Sequence, residues 1–446
     1  MTLVGCGCRC QCHVISPRVT SLTPSVLHHN PAADSNCQQR GRCGVLVSMR
    51  SLASEVSMES GDDALRNVIV TGANRGLGFA IADRMLTLGG YRVVLACRSR
   101  HEGAAALERL RARQQERQQH GRRQQGGRYS LELLVSVHTL DVSCERSIQT
   151  FRQTCVDGHL GSRVDFLFNN AGVCLPEDNG DGAKNGPAAA GILRETLTVN
   201  FFGALKVVEA CLPALKAAAA AATARRGKAT RETATTADVG AATTRMTPPA
   251  PPTVVWISSG EGELCFLGSK WRRLLADAKT LEDVKRCVSG LLDPATTAER
   301  VAVAANEVMK GENTAAAEAP KDWKEARTFA DSQEEIAFGP TPAYSLSKAA
   351  ANAAVRTWAP RLLTASSSTG APKDTKTGID GGAAGVRLVA VCPGDVLTRM
   401  TSEEEMVRGE AVLPEEAAVA VVDVALGPAT DFPPGRFYRD GKEIGW

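Results

Sequence analysis

From Asn67 to the C-terminus, short apolar runs alternate with stretches whose apolar positions recur at helical spacing. Near-continuous apolar runs belong to strands buried on both faces, so this alternation predicts a parallel sheet covered by helices on each side. Strands are predicted at Val68–Val70, Tyr91–Arg98, Leu131–Val142, Val164–Phe168, Val254–Ser259 and Val386–Val391, with a last one around Arg436–Tyr438. Helices are predicted from Phe79 onward, after the second strand, and over Ser143–Val156, Ile192–Lys216, Ala343–Leu363 and Pro414–Leu426. The pattern is that of an α/β protein, a doubly wound parallel sheet in a single domain.

Low-complexity segments interrupt the pattern at about 114–128, 217–252, 260–340 and 365–384. Gln114–Arg128 reads as a solvated loop, and the Ala/Thr/Arg stretch from Ala217 to Pro252 as an insertion with a disordered centre. Within the third, Trp271–Leu292 is amphipathic and predicted to be partly helical. Its Trp271, Leu274, Leu275, Leu281, Val284, Val288 and Leu291 form an apolar face that must be buried.

Composition narrows the class. The 446 residues are 43% hydrophobic and carry a net charge of +3, so no acidic polymer is demanded as partner. No run of eighteen or more apolar residues predicts a membrane span. Residues 1–60 have no acidic side chain before Asp34 and hold six of the fourteen cysteines. They read as an organellar transit peptide, or equally as an extension upstream of a start at Met49 or Met58. The Cys-x-Cys spacing there is not that of common zinc sites, and no metal is expected. The remaining eight cysteines read as reduced core thiols of an intracellular protein, cytoplasmic or organellar.

Candidate chemistry begins after the first strand, where Thr71 and Gly72 lead through Gly76 to Gly78. A strand, a glycine turn and a helix N-terminus together let backbone approach a pyrophosphate; a close-packed strand–helix turn is the alternative. Tyr344 and Lys348 are four apart on a predicted helix and project from one face. An ammonium beside a phenol favours the phenolate, bringing the tyrosine into range for proton transfer to or from a substrate oxygen. Ser259, with Ser258 as the adjacent alternative, ends the fifth strand, where open α/β sheets place ligands.

These residues resemble the short-chain dehydrogenase/reductase family over roughly Asn67 to Trp446. Thr71-Gly72-x-x-x-Gly76-x-Gly78 resembles its cofactor turn, Asn169-Asn170-Ala171-Gly172 its fourth-strand motif, and Asn200, Ser259, Tyr344 and Lys348 its catalytic tetrad. The long segment between Ser259 and Tyr344, the run Cys392–Met400 and the Trp446 ending resemble the monomeric NADPH-dependent carbonyl reductases. The resemblance implies a Rossmann fold and a cofactor held by Thr71, Gly72, Asn74, Arg75, Gly76, Leu77 and Gly78. It further implies Asp141 near an adenine, Asn169, Ala171 and Gly172 behind the cofactor, and Pro393, Gly394, Val396 and Thr398 near a nicotinamide. Asn200 would hold a water linking Lys348 to solvent, and Tyr344 and Lys348 would also touch cofactor.

Arg98 stands at the end of the second strand, where an NAD site usually has a carboxylate, and Arg75 inside the glycine turn; two guanidiniums that reach one phosphate read as NADP(H). The alternative is two solvated surface arginines. The expected activity is NADPH-dependent reduction of a ketone, aldehyde or quinone, with Tyr344 giving the proton. An NADP-dependent alcohol or steroid-like dehydrogenase working oxidatively would use the same residues, and a silent NADP-binding regulator is a third reading. Asp395 stands where related carbonyl reductases often carry tryptophan, so the substrate is not indicated. Family dimers pack the helices equivalent to Ile192–Lys216 and Ala343–Leu363 against a partner. The amphipathic segment is expected to cover that surface and leave a monomer, with a substrate lid as the alternative.

Overall fold

The first apolar run is strand β1, Arg66–Thr71, buried along all but its first residue because sheet neighbours and helices enclose it. In the computed structural model the described residues are 65–119, 130–175, 187–235, 250–291, 341–364, 385–398, 400 and 411–446. The extension 1–60 and most of the predicted insertions lie outside them. The other strands are β2 Tyr91–Cys97, β3 Val135–Thr139, β4 Phe166–Asn169, β5 Thr253–Ile257, β6 Arg387–Cys392, β7 Phe437–Arg439 and β8 Lys442–Glu443. They form one sheet in the order β3-β2-β1-β4-β5-β6-β7-β8. Neighbours from β3 through β7 are parallel, and β8 adds an antiparallel edge. The chain winds outward from β1 to β3, then returns to β4 on the other side, so a crevice opens between the C-terminal ends of β1 and β4.

Strand periodicity divides the core into two layers. Ile69, Val94, Trp256 and Leu388 point into one; Val68, Val70, Leu95, Val255 and Val389 point into the other. Helices α1 Gly76–Leu88 and α2 Arg100–Gln119 cover the second layer. A single turn, α3 Leu131–Leu134, leads into β3, and α4 Glu145–Phe151 opens the first layer. Then come α5 Pro187–Leu197, α6 Ala204–Thr235, α7 Ser269–Asp277, α8 Leu281–Ser289, α9 Pro342–Thr364 and α10 Pro414–Leu426.

Several elements depart from expectation. The predicted loop at 114–128 begins inside α2, which continues to Gln119. The Ala/Thr stretch is helical as far as Thr235, because alanine, the strongest helix former, fills the positions after Lys216. Leu131–Leu134 turns as a helix before β3 instead of extending it. Two stretches, Arg152–His159 and Thr198–Gly203, wind as wider π-helical turns. Within the second, a Cβ on Gly203 would collide with the Val142 carbonyl oxygen, so only glycine admits this approach to the turn that follows β3.

The amphipathic face of Trp271–Leu291 is buried as expected, except for Leu274, which is 40% exposed. Helices α7 and α8 pack on α9. The Arg356 guanidinium of α9 donates to the carbonyls of Leu275, Ala276 and Ala278 at 2.9, 3.0 and 3.0 Å, closing the C-terminal end of α7. One helical stretch, Gly191–Arg225, is long and apolar enough to cross a membrane by length and composition. Its Leu197, Phe201, Leu205, Val208 and Leu215 lie in the core against the sheet.

Candidate active site

The glycine turn takes the shape a phosphate cradle requires. Gly72 and Gly76 adopt φ of +65° and +54°, a region L side chains rarely enter. A Cβ on Gly72 would stand 3.1 Å from Ala171 Cα, and one on Gly78 would stand 2.6 Å from the Gly72 carbonyl oxygen. Gly78 therefore serves the close packing of α1 on β1, while Gly72 and Gly76 shape the open side. No acidic residue occupies the first turn of α1, whose leading N–H groups have no intrahelical acceptor. Those are the features an anionic group needs. Thr398, from the segment after β6, brings its methyl group against Gly76.

Thr71 has another task. Its hydroxyl accepts the amides of Asn170 and Ala171, both at 2.9 Å, and the Asn170 side chain donates to the Thr71 carbonyl at 2.9 Å. Thr71 thus locks the end of β1 to the turn after β4. Asn170 was missed as a site residue although it stands inside the Asn-Asn-Ala-Gly motif. Asn169 is buried and donates to the Ala204 carbonyl at 3.0 Å, so it supports the crevice from behind. Leu77 is buried in the second core layer. Gly172 leaves room for Asn200, whose Oδ1 a Cβ there would approach to 3.2 Å.

At the rim, Arg75 and Arg98 are both exposed, and their guanidiniums make no hydrogen bond or ion pair with the described residues. Asn74 donates to Glu102 Oε2 at 3.0 Å, placing a carboxylate at the same rim. Asp141 caps its own turn, Oδ1 accepting the Ser143 amide at 2.9 Å and hydroxyl at 2.6 Å. Beyond β6, Gly394 turns at φ +77° after Pro393, and Val396 bridges to Val412. The cradle, the open helix end and the two free guanidiniums fit a phosphate-bearing dinucleotide.

The second half of the site gathers at the end of β5. Ser259 follows that strand and opens a tight turn, Gly260–Gly262. Its hydroxyl lies by that of Tyr344, in the first turn of α9, near enough to favour the phenolate. Lys348, one turn on, is buried and donates through Nζ to the Ile257 carbonyl at 2.9 Å, 5.3 Å from the Tyr344 ring centroid. Asn200 sits in the π-helical turn before α6. Its Oδ1 accepts the Val173 amide at 2.8 Å, and its Nδ2 donates to the Val173 carbonyl at 2.8 Å and to Ser347 Oγ at 3.0 Å. The Asn200 carboxamide is thus a clamp between the β4 turn and α9.

Electrostatics correct one expectation. Burial pushes the Tyr344 phenol above its ordinary value; Cys174, Glu261 and Cys392 add to the rise, and the Ser259 hydrogen bond opposes it. Burial likewise pulls the Lys348 ammonium down to about 8. The lowering expected from an adjacent ammonium is outweighed by desolvation of the phenol, and Lys348 directs a hydrogen bond to the Ile257 carbonyl.

A doubly wound sheet with a glycine-cradled crevice beside a serine–tyrosine–lysine cluster is an arrangement that suits a dinucleotide-dependent oxidoreductase. The family model described as short chain dehydrogenase matches residues 66–224. (+)-Neomenthol dehydrogenase of Arabidopsis thaliana is 24% identical over 395 residues, covering 84% of this chain and 97% of that protein. Salutaridine reductase of Papaver bracteatum is 25% identical over 405 residues, covering 85% and 96%. The NADPH carbonyl reductase 1 of Mus musculus is 31% identical over 148 residues, 33% of this chain and 44% of that protein. The solved structure of salutaridine reductase from Papaver somniferum shares the fold, with a TM-score of 0.50 at 24% identity over 84% of this chain and 99% of that one. Over these stretches the chain is similar to the short-chain dehydrogenase/reductase family of oxidoreductases.

Proposed function

We propose that this protein reduces a ketone, aldehyde or quinone to the alcohol, using NADPH, with Tyr344 as proton donor. The observation that carries the reading is the grouping of the Ser259 and Tyr344 hydroxyls at the end of β5, with Lys348 one helical turn behind the tyrosine and anchored to Ile257. Two hydroxyls aimed at one point bind a carbonyl oxygen and stabilise the charge that develops on it. Tyr344 Oη then gives its proton to that oxygen. Lys348, brought to about 8, is in range to lose and regain a proton near neutrality. The glycine turn and α1 would hold the cofactor phosphates, which brings a hydride donor to the carbonyl carbon.

The free guanidiniums of Arg75 and Arg98 support NADPH over NADH, and one relative is named for NADPH. The oxidative reading asks Tyr344 to act as a base, which its burial opposes. The test is a screen of the purified protein for NADPH and NADH oxidation against a panel of ketones, aldehydes and quinones. Carbonyl-dependent oxidation of NADPH is expected. Activity confined to alcohols with NADP+, or none with any carbonyl, would contradict the proposal.

A further inference from the structure

Tyr344 is the third residue of α9, so its amide is one of those at a helix start with no intrahelical acceptor. Lys348 lies a full turn deeper and is anchored to Ile257. The two catalytic side chains therefore differ in how firmly the helix alone holds them, and the first turn must be fixed from outside.

The turn Gly260–Gly262 lies flat on this part of α9. At its far end the Gly262 carbonyl accepts Asn352 Nδ2 at 3.1 Å, and a Cβ on Gly262 would stand 2.9 Å from the Lys348 carbonyl carbon. At its near end, Glu261 Oε2 accepts the Thr341 hydroxyl at 2.6 Å and the Ser345 hydroxyl at 2.9 Å. The Glu261 amide in turn donates to Ser259 Oγ at 3.3 Å. Thr341 precedes Pro342 at the start of α9, and the buried Ser345 follows Tyr344 directly.

We propose that Glu261 is a positioning residue that joins Ser259 and Tyr344 into one rigid unit. Its carboxylate grips the hydroxyls on either side of Tyr344 while its own amide holds the serine, so the two hydroxyls facing the substrate keep a fixed separation. Hydrogen bonds to an ionised acceptor are shorter and stronger than neutral ones, and a carboxylate at a helix N-terminus complements the helix dipole. The proposal rests on the reductase reading for its catalytic consequence, but the tether itself does not.

The test uses the full-length protein as wild type, Glu261→Ala and Glu261→Gln. Kinetics are measured with NADPH and the best carbonyl of the panel, and amide hydrogen exchange is measured across the first turn of α9. Glutamine keeps an oxygen that accepts from both hydroxyls, whereas alanine keeps none. Expected for Glu261→Ala is a kcat lower by about tenfold to hundredfold, with KM for both substrates within about twofold. Glu261→Gln is expected to stay within about threefold of wild-type kcat. Exchange at residues 343–346 should accelerate in the alanine variant and not in the glutamine variant. Wild-type kcat in Glu261→Ala, a glutamine variant as slow as alanine, or unchanged exchange in Glu261→Ala would each overturn the proposal. If the wild type reduces no carbonyl, the reductase reading falls on its own and the exchange result alone judges the tether.

Discussion

Burial divides the labour between Tyr344 and Lys348. It raises the pKa of the Tyr344 phenol and lowers that of the Lys348 ammonium to about 8. Arg75 and Arg98, proposed to hold the cofactor, are exposed at the rim. Charge-assisted contacts to a phosphate contribute roughly 1.5–3 kcal/mol each, so replacing both Arg75 and Arg98 by Ala should weaken NADPH far more than NADH. Fluorescence titration with each cofactor measures this; equal loss for both would place the arginines away from the 2′-phosphate. Ser259, Tyr344 and Lys348 were legible because their spacing states their geometry: a strand end, and positions i and i+4 of one helix. Glu261 and Asn170 were not, since a hydrogen bond to Thr341 or to Thr71 spans 80 or 99 residues and leaves no local pattern. Thr71 shows the converse: its motif is local, but its hydroxyl faces the β4 turn.

The elements followed hydrophobic periodicity wherever burial was strict, as in β1, β2, β5, β6 and α10. They departed from it where packing or propensity overrode the pattern. The alanine tract gave no apolar stripe, yet it continues α6, and Pro213 within that helix is followed by an Ala214 carbonyl that accepts the Val164 amide at 3.3 Å. Hydrophobic periodicity does not report the two π-helical turns. One of them, at the end of α4, sets His159 against His138 of β3, with ring centroids 5.1 Å apart. Burial lowers the pKa of both; each feels a nearby cationic side chain, and His138 also feels His159. Below the ordinary imidazole value of about 6.5 the unfolded chain binds these protons before the folded one does, so stability falls as pH falls through that window. Urea midpoints at pH 7 and pH 5 should therefore drop less for His138→Gln than for the wild type. An identical drop in both would remove the pair from the acid response.

Taken whole, the molecule covers α9 with its own chain. Trp271, Leu275, Val284 and Val288 fill the face that the resemblance assigned to a partner subunit, and Lys285 reaches Glu209 of α6 at 3.1 Å. That face was legible from the spacing of its apolar residues; what it covers needed the structure. The full-length protein is expected to sediment as a monomer. Replacing residues 265–335 by a short linker should expose the alanine-rich flank of α9 and promote association. A full-length dimer would contradict the monomer, and unchanged association with an altered substrate range would favour a lid.

The most direct measurement of the central claim compares wild type with Tyr344→Phe, which removes one hydroxyl from the site. NADPH affinity and carbonyl-dependent NADPH oxidation are followed for both. The expected result is near-normal NADPH binding with turnover lowered by at least about 100-fold, the range of general acid catalysis. Turnover within tenfold of wild type would contradict Tyr344 as the proton donor.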